Sequence, residues 1–461
     1  MNLLTAKKIH FIGVAGTGMS AIAQYLAGTG HTVSGSDREF AKESTHLVKQ
    51  QLTEAGISCF AQDGSGIHAD LDAVVISTAI EDTVAEFKKA KDLGIAILHR
   101  ADMLKAITDT KKTIAVSGTS GKSTTSAMLF HILHQSGFEA SIISGAGLVS
   151  LQQQGKIGNA YAGKGEWLVI EADESDGTLV KYHPAIGVIL NLDKDHKEME
   201  ELQEIFSQFK QNVTDKLIVN GAHAGAAVYS QNMAHDFGYD EGVGYRMADF
   251  VQYADKVVFS INGVVFTIPV LGAHNMENAA AACAAACAAG ASLAQCAKAL
   301  QSYGGIYRRM QLLGVVNGVT IYDDYAHNPV KIAAAIRALQ PLANRVIGWF
   351  QPHGYGPTRF LRADFVHEIS AVLRPEDQIW MSEIFYAGGT AVKDISANDL
   401  IQDIAQKGKQ AFFEADRKDL PTALRKVLQP GDILLLMGAR DPSLEVFANE
   451  VVKELRVANG E

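Results

Sequence analysis

The sequence predicts an α/β protein of three domains, and three observations predict it. Short apolar runs alternate with helical stretches along all 461 residues, the pattern of parallel sheets wound with helices. Two glycine turns each join a strand to a helix, one near residue 13 and one near residue 118. The length itself carries a prior of about three domains. The blocks run over residues 1–107, 108–315 and 316–461.

In the first block, residues 9–12 form an apolar strand. The turn Gly13, Gly16, Gly18 and an amphipathic helix from Met19 follow it. A second strand at 32–34 ends at Gly35-Ser36-Asp37, and a third at 73–76 ends at Ser77. In open parallel sheets ligands bind beyond the carboxyl ends of the strands, where these glycines, Asp37 and Ser77 all fall. The turn GVAGTG, with Asp37 about 20 residues on, fits a dinucleotide. A sugar nucleotide needs the same physics, a pyrophosphate on a helix N-terminus.

The second block opens with the strand 113–116 and the segment Gly118-Thr119-Ser120-Gly121-Lys122-Ser123-Thr124. Glycines let backbone N–H groups approach phosphate oxygens, Lys122 neutralises the β- and γ-phosphates, and Ser123 can ligate Mg²⁺. Val116 stands where the usual loop has its first glycine, so this is a shorter variant, read as an ATP site. A second metal donor is expected after the strand 167–170, at Glu171 or Glu174. A third is expected at His196, after the strand 186–190, although a hydrogen-bonded structural histidine is the competing reading there. A β-rich portion (256–268) precedes an alanine-rich helix (279–289). The third block has strands at 319–322, 345–350, 378–381 and 432–436. The fold class is therefore a Rossmann-like N-terminal domain, a P-loop ATPase-like central domain and a Rossmann-like C-terminal domain.

Composition narrows the function. The formal charge of −10, without a basic stripe, argues against nucleic acid. No apolar run approaches the roughly 20 residues that cross a bilayer. The N-terminus runs directly into the first strand, so no signal peptide is expected, and a cytoplasmic location is. Four cysteines, at 59, 283, 287 and 296, are too few and too scattered for a disulfide framework; Cys283 and Cys287 read as packing residues.

The segments HFIGVAGTGMS, VSGSD, GTSGKSTT, EADESD, NLDKDH, GAHNMENAAAA, GGIYRRMQ, DDYAHNP and FQPHGYGPTR, in this order, resemble the Mur ligases of peptidoglycan synthesis over nearly the whole chain. The resemblance implies an ATP- and Mg²⁺-dependent ligase joining UDP-N-acetylmuramate to an amino acid, L-alanine in the pattern it follows best. Lys122, Glu171, His196 and Arg309 would be catalytic. Ser123, Glu171 and His196 would hold metal. His274, Asn275, Asn278, Arg309, Asp324 and His327 would join the glycine loop around ATP. Gly13, Gly16, Gly18, Met19, Asp37, Ser77 and Arg100 would hold the UDP-sugar, and His353, Tyr355 and Arg359 the acceptor.

Two departures stand out. The alanine-adding pattern GTHGKTT carries Ser120 and Ser123 here in its third and sixth places. HRYTRT reads His353-Gly-Tyr-Gly-Pro-Thr358, with Gly354 and Pro357 in place of arginines, for which Arg359 or Arg440 could substitute. A recycling ligase that adds a murein tripeptide, a non-catalytic sensor of nucleotides and, more distantly, a dehydrogenase are the alternatives.

Overall fold

The computed structural model describes residues 6–41, 46–174, 177–193, 198–386, 392–441 and 443–457. The chain forms two compact units. One comprises Met1–Phe250, Val258–Pro269 and Met276–Tyr307; the other comprises Val251–Val257, Val270–Asn275 and Arg308–Glu461.

The first unit opens with a parallel five-stranded sheet in the order β3-β2-β1-β4-β5, built from β1 (Lys8–Ile12), β2 (Thr32–Asp37), β3 (Ser58–Ala61), β4 (Ala73–Ile76) and β5 (Ala96–His99). Strand β4 is buried throughout and β1 is buried after its first residue. This is why both read as unbroken apolar runs rather than alternating ones. A six-stranded sheet follows, from β6 (Lys112–Ser117), β7 (Ser141–Ile143), β8 (Ala160–Tyr161), β9 (Trp167–Glu171), β10 (Ile186–Ile189) and β11 (Lys216–Val219), in the order β11-β10-β6-β9-β7-β8. The β-rich portion is a four-stranded sheet of β12 (Phe237–Gly238), β13 (Tyr245–Gln252), β14 (Val257–Ile261) and β15 (Val264–Ile268). Its last two strands are joined by Asn262-Gly263, both at positive φ, the geometry a two-residue hairpin turn requires.

The first two sheets share one apolar core. Phe11 and Ile22 from the first, and Leu168 and Ile170 from the second, belong to the same buried cluster. The helix Thr17–Gly28 lies so close to the central sheet that a Cβ on Gly28 would come within 2.7 Å of the Ala162 Cβ.

The second unit holds β16 (Gln311–Val316), β17 (Val319–Asp324), β18 (Val346–Gln351), β19 (Gln378–Met381), β20 (Gln410–Phe413) and β21 (Ile433–Gly438), in the order β16-β17-β21-β18-β19-β20. All pairings in it are parallel except β16 with β17, a hairpin closed by Asn317-Gly318, again both at positive φ. The boundary expected at 315/316 would cut this hairpin.

Candidate active site

Strand β6 lies between β9 and β10, with Val116 level with Glu171 and Ser117 level with Ile189. The residues that follow these strands therefore converge. Gly118, at φ +138°, could not carry a side chain: its Cβ would stand 2.9 Å from the Leu190 Cβ and 3.1 Å from the Asn191 nitrogen. Gly121, at φ +84°, would drive a Cβ to 2.5 Å from the Asn278 Oδ1. The Asn191 amide staples the loop between them. Its Oδ1 accepts from the Thr119 hydroxyl (2.9 Å) and the Ser120 N–H (2.7 Å), and its Nδ2 donates to the Ser120 carbonyl (3.1 Å). The helix Lys122–Gln135 then starts with no acidic residue in its first turn, which leaves its N–H groups and dipole for an anion.

Lys122 donates to Glu174 Oε2 and to the Gly118 carbonyl, both at 2.7 Å. Burial opposes its charge, but Glu174, Asp173 and Glu171 outweigh that and hold the ammonium protonated above its ordinary range. Glu171 Oε2 accepts from Ser123 Oγ at 3.0 Å, while Oε1 accepts from the Gly145 N–H at 3.0 Å and from the Ser144 hydroxyl. Ser123, Glu171, Asp173 and Glu174 offer oxygen donors only, the chemistry Mg²⁺ prefers. Among the described residues no three His, Cys, Asp or Glu side chains converge as a closed metal cage. Mg²⁺ does not require one, since it keeps water and phosphate oxygens and takes one or two carboxylates. His196 lies outside the described residues. Just before that segment, the Asp193 N–H donates to Thr119 Oγ1 (3.0 Å), and its carboxylate pairs with His223 Nε2 (3.2 Å), raising the imidazole's pKa.

At the first glycine turn, the Gly13 and Val14 N–H groups both donate to the Ser36 carbonyl (2.8 and 3.0 Å). Gly35 is required beside them, because its Cβ would fall 2.5 Å from the Val14 Cβ. Asp37 braces the turn: Oδ2 accepts from the Ala15 N–H and Oδ1 from the Glu39 N–H, each at 3.0 Å. Gly16 caps the helix Thr17–Gly28, and a Cβ on Gly18 would meet the Arg100 Nη1 at 2.9 Å. The guanidinium thus lies over the helix's first turn, which has no acidic residue. Met19 is in the core rather than at the turn, and the Ser77 Oγ accepts from the Ala79 N–H at 3.4 Å.

In the other unit, Arg309 sits between two strained residues, Arg308 at φ +55° and Met310 at φ +47°. The strain is held by carboxylates. Arg308 makes two bonds to Asp323 (2.7 and 3.1 Å), and Asp324 accepts from the Met310 and Ala326 N–H groups (both 2.7 Å). The Arg308 and Arg309 guanidinium groups lie 5.5 and 5.2 Å from the Tyr325 ring centre. His327 Nδ1 bonds the Tyr325 carbonyl (2.9 Å), and burial, with Lys331, depresses its pKa well below the usual value. The imidazole is then neutral, with Nδ1–H donating, and its ring is 5.6 Å from that of His353. His274 opens the helix His274–Ala288, and Asn275 Nδ2 donates to the Leu271 carbonyl (2.7 Å). Tyr355 and Tyr386 meet edge to face at 5.5 Å, with Lys393 over both rings. Arg359 is paired with Asp394, and Arg440 is exposed at φ +63°. Gly354 has φ +72° and ψ 123°, a conformation that explains glycine at this place.

Three family profiles match successive parts of the chain: the Mur ligase family catalytic domain over residues 8–112, the Mur ligase middle domain over 116–286, and the Mur ligase glutamate ligase domain over 308–440. A UDP-N-acetylmuramate–L-alanine ligase of Carboxydothermus hydrogenoformans is 34% identical over 452 residues, covering 94% of this chain and 93% of its own. The chain belongs to the Mur ligase family.

A relative of the same name from Rhizobium johnstonii is 33% identical over 98% of both chains. The fold matches a solved UDP-N-acetylmuramate-alanine ligase from Thermotoga maritima (TM-score 0.78, 23% identity, 98% of this chain and 99% of that one). It also matches a murein peptide ligase from Psychrobacter arcticus (TM-score 0.67, 22% identity, 98% and 99%). As a Mur ligase the protein is an ATP-dependent ligase. Of the residues expected from sequence, Gly118–Thr124, Glu171 and Asn278 come together in one unit of this Mur ligase, with Gly13, Gly16, Gly18, Asp37, Ser77 and Arg100 at the first sheet of the same unit. Sequence reasoning missed Asn191, Ser144 and the Arg308–Asp323 pair. Asn191 and Ser144 lie within two residues after the end of a buried strand, close to the position that marked Glu171, but an amide and a hydroxyl were passed over beside the carboxylates.

Proposed function

We propose that this Mur ligase forms the amide bond between the lactyl carboxylate of UDP-N-acetylmuramate and L-alanine, in the cytoplasm where both nucleotide substrates reside. The observation that carries the reading is the constellation of glycine loop, Lys122, Ser123 and Glu171 at two adjacent strand ends. The name shared by relatives that match nearly end to end supports the substrates. The UDP-sugar is assigned to the first sheet, ATP to the glycine loop of the six-stranded sheet that follows it, and the acceptor to the second unit.

In the reaction, a carboxylate oxygen attacks the γ-phosphorus of ATP and ADP leaves, giving an acyl phosphate. The amine then attacks the acyl carbon, loses a proton, and the tetrahedral intermediate expels inorganic phosphate. Lys122 carries the positive charge that the β- and γ-phosphate oxygens need, and the Lys122–Gln135 N-terminus adds its N–H groups. Ser123 and Glu171 would hold Mg²⁺, with His196 in the family pattern; the ion, when bound, offsets phosphate charge. Arg309, Asp324 and His327 are assigned to the nucleotide by the same pattern, and Arg100 and the first glycine turn to the pyrophosphate.

ADP release with UDP-N-acetylmuramate and L-alanine tests the reading, and no ADP under any amine would make the protein a sensor rather than a ligase. A second reading, a different or larger amine, is favoured by Gly354. Its backbone conformation excludes the arginine of the alanine-adding pattern, and Arg359 is already paired with Asp394. Comparing L-alanine, L-serine, glycine and the murein tripeptide decides between the two.

A further inference from the structure

We propose that Ser144 is a positioning residue for Glu171, and that Asn159 ties this carboxylate to the helix of the first glycine turn. The inference rests on the reading of Glu171 as a Mg²⁺ ligand. Strands β7 and β9 run parallel with Ile143 level with Ile170, so Ser144, just past β7, and Glu171, the last residue of β9, come next to each other. Ser144 is buried, and its hydroxyl donates to Glu171 Oε1 while its lone pair accepts from the Ala146 N–H at 3.1 Å. With the Gly145 N–H on the same oxygen, Oε1 is saturated and Oε2 is turned toward Ser123. A carboxylate fixed this way presents one oxygen in one direction, as a rigid octahedral ion demands.

The Ser144 N–H in turn donates to the Asn159 carbonyl at 2.9 Å. The Asn159 side chain, 1% exposed, spends its whole amide on the first helix: Nδ2 donates to the Thr17 carbonyl (2.8 Å) and Ser20 Oγ (2.9 Å), and Oδ1 accepts from Gln24 Nε2 (2.8 Å). Thr17 and Ser20 form the first turn of that helix, over which Arg100 lies. An unbroken hydrogen-bonded path thus runs from the helix assigned to the UDP-sugar, through Asn159 and Ser144, to the carboxylate assigned to the metal. In this reading neither residue is itself a ligand; both set where the groups assigned as ligands stand.

The test measures Mn²⁺ affinity in the presence of a non-hydrolysable ATP analogue, from the EPR signal of the free ion, and UDP-N-acetylmuramate affinity by calorimetry. Ser144→Ala is expected to weaken Mn²⁺ about tenfold with sugar-nucleotide affinity unchanged, and Ser144→Thr, which keeps the hydroxyl, to restore it. Asn159→Ala is expected to weaken both ligands. Gln24→Ala, at a half-buried site, removes the bond to Asn159 Oδ1 and one to the Ser20 carbonyl of its own helix, and so keeps the question open to measurement if Asn159→Ala fails to fold; it should move both affinities the same way. Glu171→Gln is the reference. If it weakens Mn²⁺ and Ser144→Ala does not, the positioning role is overturned while the metal reading stands. If Glu171→Gln leaves Mn²⁺ affinity unchanged, the metal reading itself fails. If Gln24→Ala and Asn159→Ala change the sugar nucleotide alone, the path ends at the helix and the link to Glu171 is overturned.

Discussion

Lys122 has two anionic neighbours and a backbone carbonyl around its ammonium, all within the loop's own unit. Lys122→Ala is expected to abolish ATP turnover while UDP-N-acetylmuramate affinity, read by calorimetry, stays within tenfold, or about 1.4 kcal/mol. His10 gives a second outcome. It is fully buried between Ser34 and Ser36, and burial, with nearby His68, holds its pKa at about 4 against an ordinary 6.5. The folded state therefore takes the neutral ring. Its contribution is intact above pH 6.5 and is lost as the pH falls toward 4, by about 3 kcal/mol over that range. Melting temperature followed from pH 7.5 to 4.5 should drop more steeply in the parent chain than in His10→Gln. At this scale the sequence was most legible where chemistry dictates residue type. Gly118 and Lys122 stand just beyond β6 and Glu171 at the end of β9, where the motif reading expects them. Asp37 was read as a ligand of the nucleotide sugar, and its bracing of the turn was invisible because it depends on where the Ala15 and Glu39 N–H groups point.

The elements show a similar division. Buried parallel strands announced themselves as apolar runs, whereas β16 and β20, half-exposed and at or near the sheet edges, gave no comparable signal. The Asn317-Gly318 turn was a hairpin signal in plain view, and recognising it would have moved the boundary before β16. Within the second unit, Arg308 and Asp323 of that hairpin's β17 form a buried pair with side chains 11% and 3% exposed. Asp323→Asn leaves the guanidinium poorly compensated and is expected to cost about 3 kcal/mol in denaturant unfolding, with ATP turnover falling as Arg309 loses its strained frame. The segment at Gly354 gives a prediction of the opposite kind. Gly354→Arg restores the alanine-adding pattern by residue type, yet φ +72° should make it destabilise by about 1–3 kcal/mol without tightening L-alanine. Thermal melting and the L-alanine KM check both halves.

At the scale of the molecule, three family segments fold as two units, since the first two sheets bury one core. Calorimetry should therefore show two unfolding transitions rather than three. UDP-N-acetylmuramate and the Mg²⁺-bound ATP analogue should both raise the first unit's transition, because their proposed glycine loops belong to one cooperative body, whatever the analogue adds to the other through Arg309, Asp324 and His327. Ligands that shift separate transitions would contradict this. The shared core also bears on how such a chain can be inherited. A gene crossover near codon 107 would exchange a helix whose Gly28 is fitted to Ala162 and whose Thr17, Ser20 and Gln24 are fitted to Asn159, and leave the fitted partners behind. A crossover near Tyr307 would keep those fitted partners together. Diversification of the sugar-nucleotide end must then proceed by substitutions matched across residues 17–28 and 159–162, not by cassette exchange.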